Sequence, residues 1–204
     1  EVFSHARALD WLGHRRGDTL TGYAERLAAV VDGLPGKPPT LVLGGVSLGG
    51  MVALEMARYC HCAAVVLIAS CRSGRVIPGH LRFVQKLAQL VPSSILGVDK
   101  ILGPLLANEF GDLSPQQRRV LNEMFADCDP AFAKWAASSI MSWNPADTPA
   151  VPLFHIHGDR DRLIPCSRVS ADQVIPGGGH LINLTHASEV NEFIAGAVAT
   201  AGPG

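Results

Sequence analysis

The stretch Thr40-Leu41-Val42-Leu43-Gly44-Gly45-Val46-Ser47-Leu48-Gly49-Gly50 decides the reading of this chain. Residues 40–46 form a short run, rich in Val and Leu, that opens onto glycines, the pattern of a strand buried on both faces. Residues 48–59 are small and apolar and read as a helix. Between them stands Ser47, in the frame Gly45-Val46-Ser47-Leu48-Gly49. A serine in such a frame sits on a tight, strained strand-to-helix turn, and the flanking glycines let backbone and helix approach closely. The turn lifts the Ser47 hydroxyl above the carboxyl ends of the strands, where open α/β sheets place their sites. It also aims the Leu48 backbone N–H, at the helix N-terminus, toward any oxyanion that develops. Read as structure alone, the same motif is a Gly-rich turn without chemistry.

Outward from this turn, buried strands alternate with helices. Residues 64–69 and 151–156 read as two further buried strands, and residues 172–175 as a weaker one. Residues 18–34 carry Tyr23, Leu27, Val30, Val31 and Leu34 on one helical face, stopped by Pro35-Gly36-Lys37-Pro38-Pro39. Val190, Phe193, Ile194, Ala197 and Val198 mark a C-terminal helix. The alternation predicts an α/β fold: a mostly parallel sheet with helices on both faces. Residues 71–150 hold no strand signal and several helix starts instead. Ser114-Pro115-Gln116-Gln117 is a capping box with Pro at the first helical position, and Asp129-Pro130 is a second cap pair. Leu81, Val84, Leu87, Ala88 and Val91 form another helical stripe. The expected organisation is a core of residues 1–71 and 148–204 with a helical cap, residues 72–147, inserted as a lid.

Composition bounds the function. The 204 residues are 48% hydrophobic and 17% charged, which supports one sizeable core and excludes a disordered chain. Lys and Arg total 17 against 18 Asp and Glu, a formal net charge of -1, so no basic field marks nucleic acid or an anionic membrane as the main partner. The most apolar run, residues 62–69, is far short of the roughly 20 residues that span a bilayer. Glu1-Val2-Phe3-Ser4-His5 is neither a basic leader nor a signal core, and it lacks an initiator Met. The five cysteines are odd in number and scattered, which fits reduced thiols in a cytoplasm better than a disulfide framework.

Two later stretches give Ser47 its partners. His157-Gly158-Asp159-Arg160-Asp161-Arg162-Leu163-Ile164-Pro165 follows the third strand and carries carboxylates on a turn. Gly177-Gly178-Gly179-His180 then sets a histidine on a loop before the last helix. Ser47, Asp161 and His180 stand in the order Ser…Asp…His, that of a hydrolase triad built on a nucleophile turn. A serine hydroxyl is a poor nucleophile until a histidine accepts its proton. A carboxylate then fixes the histidine tautomer and stabilises the imidazolium.

These residues resemble the α/β-hydrolase fold superfamily. The nucleophile elbow, the His-Gly-x-x-Asp-x-x-x-Pro stretch and Gly179-His180-Leu181-Ile182-Asn183 look like its small, cofactor-free members. The resemblance covers residues 8–199, with the helical segment in the place of the family's variable cap. It implies Ser47 as nucleophile, Asp161 as acid and His180 as base, with the Leu48 N–H in the oxyanion hole. Asp159 is the competing acid. Asp161 is preferred because the family pattern puts the acid three residues after the Gly, here Gly158, ahead of the Pro165 turn. Haloalkane- and epoxide-cleaving relatives carry Asp at the elbow, where this chain has Ser47. One departure stands out: nothing before Ser47 resembles the loop that supplies the family's second oxyanion donor. Residues 2–6 resemble the helix after that loop and residues 8–12 a short strand, so either this sequence lacks an N-terminal piece or the protein has lost half its oxyanion hole; the first is preferred, since a triad would otherwise be kept for little use.

The implied activity is cleavage of a small-to-medium ester or thioester through an acyl-serine intermediate, as in a carboxylesterase or thioesterase. A C–C bond hydrolase, an acyltransferase or a non-catalytic binder of small apolar ligands would share the triad. No Gly-x-Gly-x-x-Gly or Walker-type loop occurs, so no nucleotide cofactor is implied. Cys60-His61-Cys62 has no second ligand pair at zinc-like spacing and reads as structural thiols, so no metal is implied. His155 and His157 share one strand face and read as histidines satisfied by backbone, His157 with an approach to the site. Cys71 ends the second strand and lines the pocket at most. Phe132, Trp135 and Trp143 read as cap packing.

Overall fold

The computed structural model describes residues 3, 5–35, 40–89, 110 and 113–202, with the backbone alone for 84 and 87–89. Its elements are α1 (Leu20–Asp32), β1 (Val42–Val46), α2 (Leu48–Met56), β2 (Ala64–Ile68), α3 (Gly79–Gln89), α4 (Pro115–Ala126), α5 (Pro130–Ser142), β3 (Leu153–Gly158), β4 (Gln173–Ile175), α6 (Ile182–Thr185) and α7 (Ala187–Thr200). Short 3₁₀ turns lie at Gly74–Val76 and Cys166–Arg168.

The strands form one parallel sheet in the order β1-β2-β3-β4. Every residue of β2 is buried, and its side chains alternate between two cores. Val65 and Leu67 meet Leu43 and the apolar faces of α1 and α2, including Tyr23, Leu27, Met51 and Leu54. Val66 and Ile68 meet Ile156, Ile175, Ile182, Val190 and Ala197 on the other side. Helices therefore cover both faces, as the continuous apolar strands predict. Each fully buried Leu, Ile or Val contributes about 1.5–3 kcal/mol, so these two layers are the main stabilising mass. The register pairs Val46 with Ile68 and Ile68 with Ile156, which brings the carboxyl ends of three strands to one rim.

The caps form as the sequence predicts. Ser114 Oγ accepts the Gln117 N–H at 3.3 Å while Gln117 Oε1 accepts the Ser114 N–H at 2.9 Å, opening α4. Asp129 Oδ1 accepts the Ala131 N–H at 2.9 Å and opens α5. Among the described residues no strand lies between β2 and β3.

Several expectations need correction. Residues 8–12 are not a strand: their backbone pairs with no neighbouring strand, and Leu12 C=O accepts the Tyr23 hydroxyl at 3.0 Å. Phe3, His5 and Ala6 form a turn rather than a helix, with the Ala6 N–H donating to Phe3 C=O at 3.3 Å. The helix after Ser47 ends at Met56, where Tyr59 and Cys60 both donate to Met56 C=O and tighten the chain into a turn. The third strand is shifted to 153–158, because Pro152 has no N–H to pair. Val30 and Val198 lie at the margins of their stripes and are exposed. Phe132 and Trp135 pack against Tyr23 of α1, with Trp135 4.6 Å from the Tyr23 ring, and Trp143 joins the core beside α2. These rings tie α5 to α1 and α2, while Gln85 of α3 donates to Ser138 of α5 at 3.0 Å, so α5 packs within the helical segment as well. Val91 and the side chains of Val84, Leu87 and Ala88 lie outside the described residues.

Candidate active site

Ser47 occupies φ 53°, ψ −119°, left-handed backbone that a non-glycine residue adopts only when its surroundings impose it. The surroundings are close. A Cβ on Gly45 would stand 2.3 Å from the Gly49 carbonyl carbon, and one on Gly50 would stand 2.6 Å from Ser70 Oγ. Gly45 and Gly50 are therefore the glycines the turn requires, whereas Gly49 faces open space. The Ser47 N–H donates to Ile68 C=O at 2.9 Å, and Ser70 Oγ donates to Ser47 C=O at 2.7 Å. Ala69, before Ser70, also has positive φ, at 44°, so both strained non-glycine residues stand at the ends of neighbouring strands. The Leu48 N–H opens α2 beside Ser47 and has no acceptor among the described residues.

A second close approach joins the two later loops. A Cβ on Gly158 would stand 2.3 Å from Gly178 C=O, so the end of β3 and the loop before α6 touch backbone to backbone. The Arg160 N–H donates to Gly178 C=O at 2.8 Å, and Asp159 Oδ1 accepts the Gly177 N–H at 2.7 Å. Asp159 is exposed and binds the glycine loop. Asp161 is the buried carboxylate, and it faces His180.

His180 Nδ1 lies 2.7 Å from Asp161 Oδ2, and His180 Nε2 lies 2.8 Å from Ser47 Oγ. The carboxylate can only accept, so the neutral ring holds its proton on Nδ1 and offers Nε2 as acceptor for the serine proton. The structure thus brings Ser47, His180 and Asp161 into one hydrogen-bonded chain. Burial alone would raise Asp161, but hydrogen bonds from His157 and His180, His180's charge and the Ile164 N–H at 2.8 Å outweigh it and hold the carboxyl at about 2. Asp161 is anionic at neutral pH.

The remaining sequence candidates resolve as follows. Cys71 is buried, donates to Ser73 C=O at 3.2 Å and is pushed up to about 12 by burial, so it is no nucleophile. Cys60 and Cys62 are buried thiols, burial pushing Cys62 up to about 11, and His61 between them is exposed. Among the described residues no group of three His, Cys, Asp or Glu side chains could hold a metal, and none of the five cysteines is in a disulfide. His155 and His157 do meet backbone carbonyls, but they also meet each other, and His157 Nε2 lies 3.2 Å from Asp161 Oδ2.

Two contributors went unread in the sequence. Ser70 holds the elbow carbonyl, and its only sequence signal is its place just after a buried strand. Phe110 accepts the His180 N–H on its carbonyl at 3.2 Å and sets its ring edge-on to the imidazole, with centroids 5.8 Å apart. Nothing local in the sequence marks Phe110, which reaches the site from the segment between β2 and β3.

The parallel sheet, the strained serine turn and the loop-borne histidine define an α/β-hydrolase. The chain belongs to the alpha/beta hydrolase family, whose model matches residues 2–193. A Synechocystis sp. protein bearing the name of a non-heme chloroperoxidase is 31% identical over 112 residues, 48% of this chain and 37% of that protein. This chain thus matches well under half the length of that relative. Among solved structures, a thermophilic esterase from Thermogutta terrifontis superposes with TM-score 0.69 at 19% identity, over 91% of this chain and 74% of that one. An esterase from Exiguobacterium antarcticum superposes with TM-score 0.65 at 15% identity, over 89% and 74%. At these identities the likeness shows the fold. No helix among the described residues is long and apolar enough to cross a membrane.

Proposed function

We propose that this chain is a serine hydrolase that cleaves a small-to-medium ester or thioester through an acyl-Ser47 intermediate. The observation that carries the reading is the unbroken chain Ser47 Oγ–His180 Nε2 and His180 Nδ1–Asp161 Oδ2, at 2.8 and 2.7 Å. His180 Nε2 takes the Ser47 proton as Oγ attacks the substrate carbonyl carbon. The carbonyl oxygen becomes an oxyanion, with the Leu48 N–H as donor. Collapse expels the alcohol or thiol, which takes the proton back from His180. Water then attacks the acyl-serine, giving its proton to His180. The second collapse releases the acid and returns that proton to Ser47. Asp161 stays ionised throughout, fixing the tautomer and stabilising each imidazolium.

Phe110 and the helical segment of residues 72–147 would shape the acyl site as a lid, and an apolar lid favours a small or medium acyl substrate over a charged polymer. The solved esterases of like fold support the reaction class, and the reduced thiols fit a cytoplasmic setting. The test is steady-state hydrolysis of p-nitrophenyl esters of graded acyl length. The reading expects turnover that Ser47→Ala lowers by about 10³-fold or more; turnover unchanged by Ser47→Ala would overturn it.

A further inference from the structure

Behind Asp161, away from Ser47, β3 buries two histidines that the proposed reaction does not use. His155 and His157 are 1% and 0% exposed. His155 Nδ1 lies 3.1 Å from Ser170 C=O, and His155 Nε2 lies 3.1 Å from His157 Nδ1. His157 Nε2 lies 2.7 Å from Ile164 C=O and 3.2 Å from Asp161 Oδ2.

The protons can be counted from these contacts. Carbonyl and carboxylate oxygens only accept, so His155 Nδ1 and His157 Nε2 must each carry a proton. The contact between the two rings needs one more, on either nitrogen. Two neutral imidazoles hold one proton each, one fewer than this chain needs. Every neutral assignment therefore leaves a lone pair facing a lone pair inside the core, where an unmade hydrogen bond is costly.

We propose that the His155–His157 pair holds one proton beyond two neutral imidazoles, with His157 as a buried imidazolium that shares Asp161 with His180 and tempers the pull of that carboxylate on the His180 ring. The part of this that concerns His180 rests on the hydrolase reading above; the proton count does not. Burial, and then the charge of His157, push His155 down to about 4. His157 Nε2 faces the Asp161 carboxylate at 3.2 Å whereas His155 Nδ1 faces only the neutral Ser170 carbonyl, so the extra proton belongs on His157 and His155 stays neutral with its proton on Nδ1. Asp161, held at about 2, supplies the counter-charge.

The other groups facing the pair are accounted for. Asp172 Oδ2 accepts the His155 backbone N–H at 2.7 Å, and the charge of Arg72 acts against a second cation on His155. The Cys71 thiol, pushed up to about 12, stays neutral near Asp161. His180 occupies the far side of Asp161 Oδ2. His157 is thus a positioning residue. It orients the carboxylate that holds the His180 ring. No proton needs to travel along the chain during turnover.

The deciding experiment is nitrogen-15 NMR of the histidine-labelled wild-type chain at pH 7 to 8, with His157→Gln used to assign the rings. The expected result is a proton on both ring nitrogens of His157 and on one of His155. A single ring proton on His157 overturns the proposal without any appeal to activity. The second arm is the rate of serine labelling by a fluorophosphonate against pH. Gln at 157 keeps a donor beside Asp161 but removes the charge. The acid limb of His157→Gln should therefore move up by about one pH unit, about tenfold in rate on that limb, with the alkaline plateau retained. An unmoved acid limb overturns the positioning role. A wild-type chain that takes no label contradicts the hydrolase reading and with it the positioning role, while the proton count is still decided by NMR.

Discussion

At the scale of single residues, the two carboxylates after β3 hold different offices. Asp161 is buried against two imidazoles, and Asp159 fastens the loop that carries His180. Asp161→Asn keeps the shape but has a single oxygen, which cannot accept both the Ile164 N–H and the His180 Nδ1–H, so kcat/KM for an ester should fall about 10³–10⁴-fold. Asp159→Ala should loosen the loop and cost about tenfold or less. Equal losses in the two variants would contradict this division. The glycines of the elbow separate just as sharply. Gly45→Ala forces a Cβ onto the Gly49 backbone and should lower stability by about 1–3 kcal/mol in urea unfolding, with Gly49→Ala near neutral. The serine, the histidine and both carboxylates were legible from order and spacing. The choice between Asp159 and Asp161 leaned on a resemblance; burial beside His180 supports Asp161, and Asp159 is exposed on the glycine loop. Ser70 and Phe110 were not legible, because each reaches the site through tertiary contact and neither belongs to a local pattern.

At the scale of elements, α2 is fastened to the helical segment. Its Glu55 is 1% exposed and accepts the Trp143 Nε1–H at 2.9 Å, which joins α2 to the end of α5. Arg58 holds the other Glu55 oxygen at 3.3 Å and the Asp147 carboxylate at 2.7 Å. Trp143→Phe keeps most of the apolar bulk but leaves a buried acceptor unpaired, and it should cost about 1–3 kcal/mol in chemical unfolding. An unchanged midpoint would show that Glu55 finds another donor. The buried strands and capped helices were readable from their apolar runs and cap residues, which are local features. Residues 8–12 show the limit of that reading. A strand needs a partner edge, and an apolar run that instead meets the Tyr23 hydroxyl and the core through Leu9 and Leu12 stays irregular. The contacts of α5 with α1 were not legible either, since helical periodicity shows that a face is apolar but not what it packs against.

At the scale of the whole molecule, buried titrating groups tie the fold to pH. His155 sits at about 4 when folded, below its ordinary 6.5, so the unfolded chain binds its proton first as pH falls. Stability from His155 is complete above about 6.5 and is lost between there and about 4. Asp161 acts lower, its contribution fading as pH falls from 3.8 toward about 2. The thermal midpoint should therefore fall with acid through both windows, and His155→Gln should flatten the upper one. A midpoint that rises from pH 6.5 to 4 would contradict the assignment. Above these effects stands the proposed activation of one serine by the sheet, the strained turn and the two later loops. Intact-mass spectrometry after exposure to a fluorophosphonate tests it most directly. One adduct is expected on the wild-type chain and none on Ser47→Ala; an adduct that survives Ser47→Ala, or a folded wild-type chain that takes none, would contradict the proposed function.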